Sequence, residues 1–104
     1  MEIKVTVLIL NYNSALQTIK YVNHLKKQEN AEILFLIVDN YSPDHSYQRL
    51  VDFYRSNTNV KVILAEKNGG YAYGNNIGLK YLLENGRDNQ LVIISNNDIE
   101  IPNK

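Results

Sequence analysis

The chain contains no cysteine, which excludes disulfide staples and thiol chemistry and fits a reducing compartment. It has only two histidines, His24 and His45, too few for a histidine-rich zinc site. Charge of one sign is also missing: eleven basic residues balance eleven acidic ones, scattered along the chain instead of gathered into runs. No positive field is left to favour nucleic acid or an anionic lipid surface, so a charged ligand must be held by a local site. The longest apolar runs, such as residues 33–38, are far shorter than the ~20 residues a bilayer span requires. The opening Met1-Glu2-Ile3-Lys4 lacks the basic and apolar regions of a secretory signal, and the expected address is the cytoplasm. Internal repeats, low-complexity tracts and linker-like composition are absent too. No domain boundary is therefore drawn within the 104 residues, a length that suffices for one small core.

Against these absences stand four short apolar runs rich in β-branched residues, at 5–10, 33–38, 60–64 and 91–94. Each has strand length, and the second and fourth are apolar on both faces, as buried parallel strands tend to be. Helical spacing fills the gaps: Leu16, Ile19, Val22 and Leu25 recur every three residues, Leu50, Phe53 and Tyr54 mark a second apolar face, and Ile77, Tyr81, Leu82 and Leu83 a third. The alternation β-α-β-α-β-α-β predicts an α/β fold with a mostly parallel sheet and flanking helices, because parallel neighbours need a crossover connection. In such a sheet every loop leaving the C-terminal end of a strand reaches the same edge, where ligands bind. Those loops are Asn11-Tyr12-Asn13-Ser14, residues 39–44, residues 65–74 and Ser95-Asn96-Asn97-Asp98, all dense in Asn, Asp, Gly, Ser and Tyr.

Asp39 ends the most apolar run, where a carboxylate is costly unless it is paired or sits at the mouth of a site. It could cap the next helix, but Asn40, Ser42 and Asp44 could cap equally well, so a ligand role is preferred for it. An ionised carboxylate only accepts hydrogen bonds, and its natural partner is a ring N–H such as the imide of uracil or thymine; cytosine, lacking that group, would be rejected. In the first loop, Asn13 or Ser14 can cap the following helix, while the remaining groups offer amides and an aromatic face to a base or ribose; both readings stand. Asn96-Asn97-Asp98-Ile99-Glu100 reads either as a turn or as a place where Asp98 gives one oxygen to Mg²⁺ or Mn²⁺ whose other ligands are phosphate oxygens and water.

The stretch "KNGGYAYGNNIG", residues 67–78, is neither the dinucleotide fingerprint nor a triphosphate loop, since it follows the third strand and lacks Gly-Lys-Ser/Thr. Gly74 and Gly78 are spaced to lie on one helix face and read as close-packing positions. Gly69-Gly70 lies ahead of the helix, where positive φ and close approach to a ligand are open to glycine.

Taken together, "VLILNYNS", "IVDNYSPD", "EKNGGYAYGNNIG" and "ISNNDIEI" resemble, in order and spacing, glycosyltransferase family 2, nucleotide-sugar-dependent enzymes with the GT-A fold, and within it the rhamnosyltransferase-type members of polysaccharide biosynthesis at the cell envelope. The pieces cover nearly the whole chain. The resemblance implies that Asn11, Tyr12 and Asn13 border the nucleoside, that Asp39 holds the pyrimidine ring, that Asn68 and Gly70 line the nucleotide pocket, and that Asn75 stands close to the donor. The family's D-x-D motif falls on Asn96-Asn97-Asp98, with an amide in place of the first carboxylate and Asp98 as the expected ligand of Mn²⁺ or Mg²⁺.

The resemblance further implies transfer of a sugar from a UDP- or dTDP-sugar to a saccharide or lipid-linked acceptor with inversion. No residue here matches the catalytic base, which is expected beyond Lys104, so residues 1–104 are read as the donor-binding part of a longer enzyme. Attachment of that enzyme to the inner face of the membrane and homo-oligomerisation stay open. The alternative is a non-catalytic nucleotide-sugar binding or assembly module; a dinucleotide domain is disfavoured because the glycine stretch follows the third strand instead of the first.

Overall fold

Phe35, Leu36, Ile37 and Val38 are consecutive and all sealed from solvent, a pattern that only a strand covered on both faces produces. In the computed structural model, which describes residues 4–26, 32–85 and 91–96, that strand is β2 (Glu32–Asp39). The elements run β1 (Lys4–Asn11), α1 (Ala15–Lys26), β2, α2 (Ser46–Phe53), β3 (Val60–Leu64), α3 (Gly70–Glu84) and β4 (Leu91–Asn96). The strands form one sheet in the order β3-β2-β1-β4, and all three pairings are parallel. The chain is thus α/β with helices flanking a parallel sheet.

This order fixes which helix lies where. The connections through α1 and α2 step the chain one way across the sheet, from β1 to β2 to β3, and the connection through α3 returns it past β1 to β4. Since such crossovers are right-handed, reversing direction puts α3 on the opposite face from α1 and α2. Side chains alternate between faces, so each strand divides into two sets. Val5, Val7, Ile9, Phe35 and Ile37 pack with Ala15, Val22 and Leu50 under α1 and α2. Leu8, Leu10, Leu36 and Val38 pack with Leu82 under α3. Parallel pairing places Asn11 beside Asp39 at the C-terminal end of the first set.

Helix α3 lies close on its face of the sheet. A Cβ on Gly78 would stand 2.5 Å from Leu8 Cδ1 and 3.2 Å from Val38 Cγ2, and one on Gly74 2.3 Å from Leu10 Cδ1. The helix begins at Gly70, so the residues from Gly70 to Gly74 that the sequence suggested as loop form its first turn.

Several apolar positions depart from expectation. Leu16, Phe53 and Leu83 are exposed, not packed. The inward face of α1 is set by Ala15, Thr18 and Val22, and a 3.6-residue turn rotates Leu16 off the face that a period of three would give it. β4 also differs from the buried strand its composition suggested. It is a sheet edge, with Leu91 and Ile93 exposed on the α1 face and Ile94 on the α3 face. Hydrogen-bonded hydroxyls of Tyr21 and Ser95 tie α1 to it. Among the described residues, no helix is long and apolar enough to cross a membrane.

Candidate nucleotide site at the strand ends

Two polar clusters stand at the C-terminal edge of the sheet, one on each side of it. The first is built on Asp39, fully buried at the end of β2 on the α1 and α2 face. Its Oδ1 accepts from Asn11 Nδ2 at 2.8 Å and from Ser42 Oγ at 2.7 Å, and its Oδ2 accepts from the Ser42 backbone N–H at 2.9 Å. Asn11, also fully buried, uses its Oδ1 to accept from Thr18 Oγ1 at 2.6 Å and so ties β1, β2 and α1 together. Ser42 Oγ further accepts the Asn13 backbone N–H at 2.8 Å, which joins the loops after β1 and β2. Asn13 (φ 51°) and Tyr41 (φ 60°) flank this joint in the left-handed region, which non-glycine residues rarely adopt and which concentrates at functional sites. Capping of α2 falls to Asp44, whose Oδ1 accepts from the Ser46 N–H at 3.0 Å and from Ser46 Oγ at 2.5 Å.

The second cluster begins one residue later. Alternation along β2 directs Asn40 to the α3 face, where it is 3% exposed. Its Nδ2 donates to Asn68 Oδ1 at 3.0 Å and to the Gly70 carbonyl at 3.3 Å. Asn68 Oδ1 also accepts the Gly70 N–H at 3.3 Å, which satisfies one of the free donors at the start of α3. Gly70, at φ +87°, makes the turn into the helix that a Cβ would strain. The Oδ1 of Asn40 is buried and accepts no hydrogen bond among the described residues. A buried amide oxygen without a donor is uncommon in a folded protein, and it calls for an explanation.

That oxygen belongs to a residue lining a cavity of about 430 Å³, within the range of small-molecule sites. Leu10, Tyr12 and Ser14 border it on the β1 side, Asn40 at the end of β2, and Asn68, Gly70 and Tyr71 at the start of α3. Tyr12 and Tyr71 are both substantially exposed, so their rings are free to face a ligand. A second hollow of about 410 Å³ runs along edge strand β3 beneath α3, bordered by Leu64, Tyr73, Ile77 and Tyr81 with Glu66, Lys80 and Glu84. It has no buried unpaired polar atom among its lining residues.

Of the residues selected from sequence, Tyr12, Asn68 and Gly70 line the cavity, while Asn11 and Asp39 form the buried cluster behind it. Asn13 contributes its backbone to that cluster. Asn75 is half-buried on α3 beside Gly74, with an Oδ1 that meets no donor among the described residues, and it is not among the cavity's described lining residues. Asn96 is the last residue of β4 and pairs with Leu10. Asn97 and Asp98 lie outside the described residues, as does Glu100. Among the described residues, no group of three or more His, Cys, Asp or Glu could hold a metal ion. Asn40 is the residue that sequence reasoning passed over, because it counted only as one of several helix caps. Its place after Leu36 and Val38 in the two-residue alternation was the available signal.

Comparison with known proteins agrees with this architecture. The model of Glycosyl transferase family 2 matches residues 6–104. A search of curated protein sequences gives no match. The fold is similar to that of a mannosyltransferase, PcManGT from Pyrobaculum calidifontis, in complex with GDP-Man and Mn²⁺. The TM-score is 0.77 at 17% identity, over 99% of this chain and 30% of the other. It is also similar to residues 1–349 of S. aureus TarS at 29% identity and a TM-score of 0.70, over 92% of this chain and 28% of that one. The complex of the same protein with UDP-GlcNAc superposes with a TM-score of 0.71 at 29% identity, over 92% of this chain and 27% of that one. The chain therefore spans less than a third of the length of these structures.

Proposed function

The chain belongs to glycosyl transferase family 2, and from that premise we propose that it is the donor-binding part of a sugar transferase, with the nucleotide of a nucleoside-diphosphate sugar seated in the cavity at the strand ends. The observation that carries this reading is Asn40, a buried residue of the cavity lining whose Oδ1 meets no donor among the described residues, in a cavity that two exposed tyrosines also line. An acceptor held in a dry wall calls for an N–H, and uracil, thymine and guanine each present one on the ring, whereas the cytosine ring nitrogen only accepts. The complexes with GDP-Man and with UDP-GlcNAc both carry bases of the first kind. Asn40 thus makes the direct contact, while Asp39, with Asn11 and Ser42, holds the wall from behind. Tyr12 and Tyr71 offer faces to the base or ribose, and Asn68 and Gly70 close the pocket at α3. Asn75 would stand nearer the sugar diphosphate, and Asn13, Asn96 and Asn97 would contribute to donor binding.

In the complete enzyme an acceptor hydroxyl on a saccharide or lipid-linked substrate attacks the anomeric carbon. Its proton goes to a base supplied from outside this chain, and the bond to the diphosphate breaks with the electron pair leaving on phosphate oxygen, which inverts the carbon. Asp98 would give one oxygen to Mn²⁺ or Mg²⁺, a donor set suited to a cation that also binds diphosphate and water, and the metal when bound neutralises the departing charge. What this chain supplies is orientation and the exclusion of water around the base.

Titration calorimetry with UDP, dTDP, GDP and CDP in the presence of Mn²⁺ tests the reading. Binding of at least one nucleotide with a ring N–H is expected, reduced about tenfold in Asn40→Ala, the size of one lost buried hydrogen bond. The absence of any nucleotide binding, or an affinity indifferent to Asn40→Ala, would overturn it. The uncovered apolar faces of β4 favour a second reading, a non-catalytic binding or assembly module whose β4 edge meets further polypeptide. Sedimentation distinguishes the two: concentration-dependent association without sugar release from any donor supports the module.

A further inference from the structure

We infer that Ser42, which is not among the described residues lining the cavity, is a positioning residue for Tyr12: its hydroxyl latches the loop after β1 and so sets the aromatic group offered to the nucleotide. The inference rests on the nucleotide-binding reading above. The ladder between β1 and β2 ends where the Asn40 N–H meets the Asn11 carbonyl at 2.8 Å, and α1 takes over where the Thr18 N–H meets the Ser14 carbonyl at 3.0 Å. Tyr12, Asn13 and Ser14 lie between these two anchorages, and Tyr12 and Ser14 both line the cavity. The three residues form one unit, closed by Ser14 Oγ donating to the Tyr12 carbonyl at 2.9 Å. From the β2 side, Ser42 Oγ catches the middle of that unit by accepting the Asn13 N–H at 2.8 Å.

A hydroxyl suits this task because it donates once and still accepts. Ser42 gives its hydroxyl proton to Asp39 Oδ1 at 2.7 Å and its backbone N–H to Oδ2 at 2.9 Å. Two bonds to a fully buried carboxylate thus hold the serine while its lone pair holds Asn13. The backbone at this latch is costly. Asn13 at φ 51° and Tyr41 at φ 60° are both left-handed, and for a side chain as bulky as tyrosine that is an outlier. Such strain persists only where the surroundings over-determine it, and here the two strained residues come from different loops and adjoin the same hydroxyl. Removing the hydroxyl spares the fold. In Ser42→Ala the carboxylate keeps the Asn11 amide and the backbone N–H of residue 42, and the Asn13 N–H, on an exposed residue, turns to water. What is lost is the hold on the loop that carries Tyr12.

The test is a double-mutant cycle of Ser42→Ala and Tyr12→Ala on the full chain, titrated into the millimolar range with UDP, dTDP and GDP in the presence of Mn²⁺, with urea midpoints measured alongside. For the nucleotide that the wild type binds most tightly, Ser42→Ala is expected to weaken binding about fivefold. In the Tyr12→Ala background the same change should weaken it less than about twofold, because the positioned ring is gone, while its effect on the urea midpoint is the same in both backgrounds. A merely structural role would lower affinity by one factor in both. That equality, an affinity indifferent to Ser42→Ala, or one indifferent to Tyr12→Ala would each overturn the inference while leaving nucleotide binding standing. Should the alanine variant not fold, Ser42→Cys in reducing buffer, which nearly keeps the volume and bonds far more weakly, carries the same cycle with the same expectations. A wild type that binds none of the three nucleotides would remove the functional reading and this inference with it.

Discussion

Asp39 and Asn40 are neighbours in the chain, nearly equally buried, and they stand at the ends of two clusters built from the same kinds of residue. One cluster is closed: every oxygen of Asp39 has a donor within the protein, and the donors come from the strand beside it and the turn after it. The other is open: Asn40 satisfies its NH₂ on Asn68 and Gly70 and leaves its oxygen without a donor among the described residues. The difference lies in the face of the sheet each side chain occupies. A closed cluster fixes backbone, and an open one leaves an acceptor unused.

The largest effect is expected from breaking the closed cluster. Asp39→Ala removes the fully buried carboxylate that accepts from the Asn11 amide and both Ser42 donors, and should cost about 3 kcal/mol or more of folding stability, read as a lower urea midpoint. A loss below about 1 kcal/mol would mean that the cluster is not the fixed side of the pair. Next comes Gly78→Ala, which asks how far the open cluster depends on the seat of α3. The added methyl meets Leu8 and Val38, and overpacking of that kind should cost about 2 kcal/mol, partly offset by the ~1 kcal/mol that alanine gains over glycine in a helix. Nucleotide affinity should fall along with stability, since α3 carries Gly70 and Tyr71.

The smallest effect isolates what an unpaired oxygen means on its own. The Tyr54 hydroxyl is also buried without a partner, but it lies at the end of α2 and lines neither hollow described above. Tyr54→Phe should change stability by less than about 0.5 kcal/mol at neutral pH, because replacing an unsatisfied group by an apolar one is close to neutral. Burial raises the hydroxyl from 10.0 to about 12. Below pH 10 both folded and unfolded chains hold the proton; between pH 10 and 12 the unfolded chain releases it first, and stability falls as pH rises. The difference in melting temperature between wild type and variant should therefore stay flat up to pH 10 and drift in favour of Tyr54→Phe above it. A flat difference throughout would show that the hydroxyl reaches solvent.

The elements were legible because each strand is a compact β-branched run and each helix carries an apolar stripe. The edge where the cavity opens was legible because parallel strands deliver their loops to it. The helix faces were less so: Leu16, Phe53 and Leu83 are apolar yet exposed, since hydrophobicity permits burial without requiring it. β4 reads like a central strand and sits at an edge, because composition reports what a strand can be covered by and not whether the cover is there. Telling which face of the sheet each of Asp39 and Asn40 occupies needed one more fact. Alternation separates them, but which of them meets α3 follows from the strand order, and that order arises from pairings between residues tens of positions apart.

Leu10 bears on both sides of that division. Its side chain lies under Gly74 and also forms part of the cavity lining. Helix and pocket thus share a party wall one residue thick. Gly74, which touches no ligand site, then acts as a caliper on pocket shape: anything that grows at that position moves the wall, and anything that swells the pocket presses on the helix.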